Sequence, residues 1–338
     1  MNDFVEIDGS TEEGGGQILR VSLALSSVLS KPFRLHNIRA GRTKPGLQPQ
    51  HLAGVNTAAR ITNAKVKGAE IGSRELEFVP GKIIGGRYDI DIGTAGSVSL
   101  LLQSILPILV HADRQSQITV TGGTHVTHSP TIEYYEHVFL PMIRKFGAYA
   151  DLKIDSFGWF PRGGGKVSLF VRPSALTSID LKDKGSLILI QGACSLSGLP
   201  EDILMREEEG IRSVFPGAKV DRISKQSLSQ GTAVTLWAEF DNVFIGASEL
   251  GKKGVRAESV GKAAASSLQK DMGAKCAVDG WMADQLLVFM ALAKGKSYLS
   301  VPHMTSHVKT CIQVIPMFTG VQFETDKNMV SVEGIGLK

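Results

Sequence analysis

The 338 residues carry 43% hydrophobic and 21% charged side chains and a formal net charge of +4, the profile of a globular chain with room for two or more domains. No apolar run reaches the ~18 residues that a membrane span requires, and the longest, Val98 to Val110, is interrupted by Gln103, Ser104 and Pro107. Three widely spaced cysteines (Cys194, Cys276, Cys311) and an acidic N-terminus without a signal-peptide pattern exclude a secreted disulfide framework and predict an intracellular, cytoplasmic protein.

A strand-like run at Phe4–Ile7 is followed by Glu12-Glu13-Gly14-Gly15-Gly16-Gln17, where two carboxylates and three glycines precede an apolar helical stretch, Ile18–Leu29. Glycines let a backbone approach a ligand closely, and the free N–H groups and dipole of the helix favour an anion there. A flexible turn before an ordinary amphipathic helix fits the stretch as well. From Gly14 through Ala69 there is no Asp or Glu, while Arg20, Lys31, Arg34, Arg39, Arg42, Lys44, Arg60, Lys65 and Lys67 all fall there. A field of one sign steers anions inward, and the clustered arginines suit phosphate oxygens better than lysines would. After a predicted strand at Phe33–Ile38, the loop from Arg39 to His51 offers Arg39, Arg42, Lys44, Gln50 and His51 just ahead of a second helix.

Strands at Leu76–Val79 and Tyr88–Ile92 lead to a second glycine turn, Gly93-Thr94-Ala95-Gly96-Ser97, and the helix Val98–Val110. Gln103 is the odd polar residue of that helix, and a buried amide needs partners. A strand at Gln117–Thr121, a helix starting near Thr131 and a strand at Lys166–Val171 follow. Ahead of the last strand, the turn Phe157-Gly-Trp-Phe160-Pro-Arg162-Gly-Gly-Gly165 holds aromatics that could be core or a platform for stacked bases. The segment from about Lys184 to Lys275 has its own alternation: strand Leu187–Gln191, helix Glu201–Val214, strands Ala233–Phe240 and Val243–Ala247, helix Ala257–Gln269. Asp279-Gly280-Trp281 then opens a helix running to Leu292. A strand at Tyr298–Val301, a helix from His307, and strands at Val321–Glu324 and Met329–Val332 complete the chain.

The helix starts recur. Gln17 and His51 stand 34 residues apart, as do Ser97 and Thr131, and Trp281 and His307 stand 26 apart. Gln17 to Ser97 is 80 residues, whereas Ser97 to Trp281 is 184, a surplus of domain size. The expected fold is therefore α/β (α+β): three units of a roughly four-stranded sheet with two helices, spanning residues 1–183 and 276–338, with a smaller α/β domain inserted at 184–275.

Standard nucleotide and metal motifs are missing. Gly295-Lys296-Ser297 ends like a phosphate-binding loop, but Met290 stands where the upstream glycine belongs, and Leu19 breaks the dinucleotide fingerprint. His303 and His307 have helical ligand spacing, yet Met304 replaces the glutamate of a metalloprotease, so zinc is not expected. His307 is either a capping-region histidine or a nucleophile or proton shuttle at an anion-binding helix end. Asp284 could equally be a favourable charge in the first turn of its helix.

These pieces, taken together, resemble the RNA 3′-terminal phosphate cyclases over nearly the whole chain: Glu13-Gly-Gly-Gly-Gln-Ile-Leu-Arg20, Arg39-Ala-Gly-Arg42 through Lys44-Pro-Gly to Gln50-His51, Gly93-Thr-Ala-Gly-Ser97 with Gln103, and Asp284-Gln285. The resemblance implies an ATP-dependent ligase-type enzyme of RNA processing. A histidine would take AMP from ATP, pass it to an RNA 3′-phosphate, and the 2′-hydroxyl would displace it to close a 2′,3′-cyclic phosphate. On the family's pattern His307 is the nucleophile, and Glu13 holds a divalent metal (Mg²⁺ or Mn²⁺). Arg20, Arg39, Arg42, Gln50 and His51 hold phosphates and RNA. Gln103, Pro130, Trp281, Met282, Ala283, Asp284 and Gln285 contact ATP. Trp281 stands where the family usually has tyrosine. A non-catalytic, RNA-binding member acting in ribosome assembly is the alternative, and an enolpyruvyl-type transferase a third; the presence of His307 favours the enzyme. No membrane partner is expected.

Overall fold

The structure, a computed structural model, describes residues 4–12 and 14–337. The first unit runs β1 (Val5–Asp8), α1 (Gln17–Leu29), β2 (Phe33–His36), α2 (Pro49–Thr62), β3 (Lys65–Lys67) and β4 (Leu76–Val79). Its sheet has the order β1-β2-β4-β3, with β1 and β2 parallel and the other pairs antiparallel. A parallel pair needs a crossover, which α1 supplies; the antiparallel end needs only a hairpin.

The second unit repeats this plan. It comprises β5 (Arg87–Asp91), α3 (Val98–Val110), β6 (Ser116–Gly122), α4 (Ile132–Tyr134), β7 (Tyr149–Ser156) and β8 (Gly165–Arg172). Its second helix is continuous: α4 passes through a π-helical turn (Tyr135–Phe139) into α5 (Leu140–Lys145). The sheet order β5-β6-β8-β7 again places one parallel pair before two antiparallel ones.

The third unit begins with β9 (Asp180–Leu181) and is then interrupted. The interruption contains β10 (Leu187–Ser197), α6 (Asp202–Arg212), β11 (Lys219–Ser224), β12 (Gly231–Phe240), β13 (Phe244–Leu250) and α7 (Ala257–Gly273). These strands form a separate sheet in the order β11-β10-β12-β13, on which α6 and α7 pack together. The third unit resumes with α8 (Met282–Leu292), β14 (Lys294–Ser300), α9 (Ser306–Thr319), β15 (Phe323–Asp326) and β16 (Met329–Ile335). Its sheet, β9-β14-β16-β15, has the parallel–antiparallel–antiparallel pattern of the other two.

The first helix of each unit is apolar nearly all round, so it can be stable only at the centre. In α1, α3 and α8 almost every residue is buried. They form the inner layer: α1 packs on α2, α3 and α9, α3 also on α2 and α8, and α8 on α9. The sheets wrap this bundle and turn their second faces to solvent, as the alternating burial along β6 shows. Among the described residues no helix is long and apolar enough to cross a membrane.

Four strands were not foreseen from the sequence: β3, β7, β9 and β11. All four lie at sheet edges. β3 and β9 are three and two residues long, too short to show a period. β7 does alternate, but with charges (Asp151, Lys153, Asp155) between Ala150, Leu152 and Ile154, which deter pairing with other chains and dilute the β-branched and aromatic content that marks a strand. The interrupting segment is fastened to the body by buried polar groups. The Asp279 carboxylate accepts from Tyr134 Oη (2.7 Å) and from the backbone of Gly246 (3.0 Å). Glu133 accepts from Ser195 Oγ at 2.6 Å and pairs with His125 Nε2 at 2.7 Å.

Candidate active site

Six helices of the three units start on the same side of the bundle, and one cavity of about 380 Å³ lies among their N-termini. Gly16, Gln17 and Arg20 reach it from the start of α1, and Gln50 and His51 from α2. Leu100 and Gln103 come from α3, His128 and Pro130 from just before α4, Trp281, Asp284 and Gln285 from α8, and His307 from α9. Arg39 and Arg42, on the loop after β2, complete the wall. Although α2, α3, α4, α8 and α9 are partly capped by their own side chains or by Asp279, the positive dipole ends gathered here favour an anion.

The basic run is divided by the fold. Arg34 pairs with Glu6 at 3.2 Å and Glu77 at 3.0 Å, and Lys67 pairs with Glu77 at 3.0 Å, across the outer face of the first sheet. Lys31 donates to the Phe318 carbonyl at 2.6 Å and Arg60 to that of Asp89 at 3.1 Å. Arg20, Arg39 and Arg42 are the cations of this stretch that turn to the cavity. Arg39 is braced by the carbonyls of Lys44 and Gly46, so its guanidinium is set by its own loop.

His51 is buried and its pKa is pulled down to about 3, by burial first and then by Arg39, Arg20 and Arg42. Its Nδ1 accepts from the Gln48 backbone at 3.3 Å, completing a capping box at the start of α2. The proton of this neutral ring therefore sits on Nε2, making His51 a fixed donor rather than a base. The glycine at position 16 is needed here: a Cβ would lie 2.6 Å from His51 Nε2.

Asp284 and His307 face each other electrostatically. Burial lowers the His307 pKa, the Asp284 carboxylate raises it, and Arg20 and Arg42 lower it again. Burial raises that of Asp284, while His307 and Arg20 oppose the rise. The balance favours a neutral imidazole with an available lone pair. Thr305 Oγ1 caps α9 by accepting from the Val308 backbone at 3.1 Å, fixing the turn that carries His307. Gln17 Nε2 donates to Asp284 Oδ2 at 2.8 Å, and Arg20 Nη2 donates to Gln17 Oε1. Carboxylate, amide and guanidinium are thus held in one chain. Beneath them the Cys311 thiol, its pKa pushed up to about 12 by burial, stays protonated.

At the other end of the cavity Gln103 Nε2 donates to Gln285 Oε1 at 2.6 Å, and Gln285 Nε2 donates to the Trp281 carbonyl. The odd amide of α3 has found its partner across the bundle. Trp281 is 46% exposed, its indole at the rim. Asp279 accepts from the backbones of Trp281 (2.9 Å) and Met282 (3.0 Å), which sets the start of α8.

Of the residues singled out from the sequence, Arg20, Arg39, Arg42, Gln50, His51, Gln103, Pro130, Trp281, Asp284, Gln285 and His307 line this cavity. Met282 and Ala283 are fully buried and do not line it. Glu13 lies outside the described residues. Four wall residues had not been named for the site: Gly16, Gln17, Leu100 and His128. Gln17 carries a signal, a polar side chain at a buried position of an apolar helix. His128 carries none; its left-handed backbone (φ 61°) is visible only in the fold.

The sequence profile described as RNA 3′-terminal phosphate cyclase matches residues 11–325. The RNA 3′-terminal phosphate cyclase of Pyrobaculum aerophilum is 42% identical over 98% of this chain and 99% of its own. That of Archaeoglobus fulgidus is 41% identical over 97% of this chain and all of its own, and that of Korarchaeum cryptofilum 40% identical over 99% of each.

Proposed function

The chain belongs to the RNA 3′-terminal phosphate cyclase family, and from that premise we propose that this cavity converts an RNA 3′-terminal phosphate to a 2′,3′-cyclic phosphate with ATP, through a histidine–AMP intermediate. The observation that carries the reading is the meeting of His307 with Arg20, Arg39 and Arg42 in one cavity at a convergence of helix N-termini. A neutral imidazole is the nucleophilic form, and burial favours it.

In the proposed first step a His307 nitrogen bonds to the α-phosphorus of ATP and the bond to pyrophosphate breaks. A 3′-phosphate oxygen of the RNA then takes the AMP group and the phosphorus–nitrogen bond breaks, restoring the imidazole. Finally the 2′-oxygen bonds to the 3′-phosphorus, its proton passes to solvent and AMP leaves. The arginines, His51 Nε2–H and the helix termini neutralise the phosphate charge that shifts in each step. Gln103, Gln285 and Trp281 form the end of the cavity suited to the base, and holding both reactants there makes the last step intramolecular.

Among the described residues no three His, Cys, Asp or Glu side chains gather to hold a metal. A hard cation held through the phosphates of ATP and water would need few protein oxygens. Glu13, at the glycine turn, would be its protein ligand, and Mg²⁺ or Mn²⁺ would supply Lewis-acid charge neutralisation. We also propose that residues 184–275 form a distinct inserted domain on a body of 1–183 and 276–338. Lys184 Nζ supports this by clasping the carbonyls of Met272 (2.8 Å), Asp271 (3.2 Å) and Ala274, where the chain leaves and returns.

Incubation with ATP labelled on the α-phosphate tests the reading. The expected result is an acid-labile protein–AMP adduct in the wild type and none in His307→Asn. No adduct in the wild type with either metal would sink the proposal; an adduct surviving His307→Asn would sink only the choice of nucleophile.

A further inference from the structure

The glycine- and aromatic-rich turn 157–165 lies outside the cavity, and none of its side chains enters the reaction described above. The structure divides its aromatics. Phe157 and Trp159 are buried, with the His125 ring stacked on Trp159 at 4.3 Å. Phe160 is 78% exposed, more than any other large hydrophobic side chain among the described residues. Arg162 beside it is exposed, and Leu228, 61% exposed, lies over Gly164 from the inserted segment. The turn is well fastened: Gly163 N donates to the Trp159 carbonyl (2.8 Å), Arg162 N to Ser229 Oγ (3.3 Å) and Phe157 N to the Gln226 carbonyl (3.3 Å).

This turn adjoins the cavity wall on two sides. Gly163 (φ 70°) presses on the loop ahead of α3, where a Cβ would lie 2.6 Å from the Thr94 carbonyl and 2.9 Å from Ala95 Cα. In the same loop the Ser97 backbone donates to Gln50 Oε1 at 3.0 Å, and Gln50 lines the cavity. On the other side the backbones of Thr124 (2.8 Å) and His125 (3.1 Å) donate to the Gly158 carbonyl, and that segment carries cavity-lining His128 and Pro130. A cation next to an exposed ring on a fixed backbone, continuous with a phosphate site, suits a single strand with bases to stack and phosphates to pair.

We infer that the RNA strand behind the reacting 3′ end leaves the cavity over Thr94 and Ala95 and is received on this turn, one base stacking on Phe160 and a backbone phosphate meeting Arg162. The inference rests on the proposed reading of the cavity as the place where the RNA 3′-phosphate reacts. It gives the inserted segment a part as well, since Leu228 and Ser229 form the far side of the platform.

The test is calorimetric binding of a 3′-phosphorylated dinucleotide and octanucleotide, without ATP and at several salt concentrations. Phe160→Ala is expected to weaken the octanucleotide about tenfold, the size of one lost base stack, and to leave the dinucleotide unchanged. Phe160→Trp is expected to restore the affinity, and Arg162→Gln to lower the slope of log affinity against log salt by about 0.7, one phosphate contact on a single strand. Equal octanucleotide affinity for wild type and Phe160→Ala, or an equal loss at both lengths, overturns the inference. Adduct formation from ATP alone is followed in parallel. Its failure in the wild type counts against the proposed reaction, while the length-dependent binding decides the platform separately.

Discussion

His307 and Asp284 sit in opposing fields, and the sign of each fixes what a substitution does. Burial and two arginines hold the imidazole pKa below its ordinary value, and the Asp284 carboxylate is the group that raises it. Replacing Asp284 by Asn should therefore lower the His307 pKa further and move the acid limb of adduct formation to lower pH. Titration of the His307 ring by NMR in both proteins checks this; an upward shift in Asp284→Asn contradicts the assigned field. The candidacy of His307 was legible in the sequence only through the motif around it, since one histidine at a helix start is chemically mute. Its partner Asp284 looked like a helix-end charge. Only the packing of α1 against α9 and α8 against α9 brings Gln17, Asp284 and His307 together across nearly three hundred residues.

At the scale of elements, the central helices and strands were plain in the sequence because their burial imposes a strong pattern, and α3 matches its predicted bounds, Val98–Val110. Four of the eight edge strands, β3, β7, β9 and β11, were not, being very short or rich in charge, whereas the edge strands β1, β5, β13 and β15 were foreseen. Helix α6 of the inserted segment carries a buried acid with a measurable consequence. Glu207 is fully buried, accepts from Thr232 Oγ1 at 2.7 Å, and burial pushes its pKa up to about 7. A carboxyl raised on folding favours the folded state below its unfolded value and loses that contribution as pH rises through the folded value. At about 1.4 kcal/mol per pKa unit, the penalty for ionised Glu207 reaches about 3 kcal/mol above pH 7. Glu207→Gln should match the wild type near pH 4 and exceed it at pH 8 by up to that amount. Urea unfolding at the two pH values decides; a constant difference between the proteins would show that Glu207 is not the group responsible.

For the whole molecule, one buried carboxylate joins the parts. Asp279 accepts from Tyr134 of the second unit, from Gly246 of the inserted segment and from the first turn of α8 in the third unit. Asp279→Ala should cost about 4 kcal/mol, because it leaves several buried donors without an acceptor, and should also slow adduct formation by loosening Trp281 and Asp284. Asp279→Asn keeps an acceptor and should fall between. Unfolding curves and adduct rates on the three proteins check this, and stability unchanged in Asp279→Ala would dissolve the proposed junction.

The sequence by itself determined the repeated units of sheet and helices and the apolar central helices, because periodic burial is local, and its family motifs named most of the residues that line the cavity. Tertiary structure decided which arginines face the cavity and which pair across a sheet, and which proton His51 keeps. It also decided that Phe157 and Trp159 are core while Phe160 is surface. Those outcomes depend on which groups from distant segments share a low-dielectric space, and no local pattern encodes that.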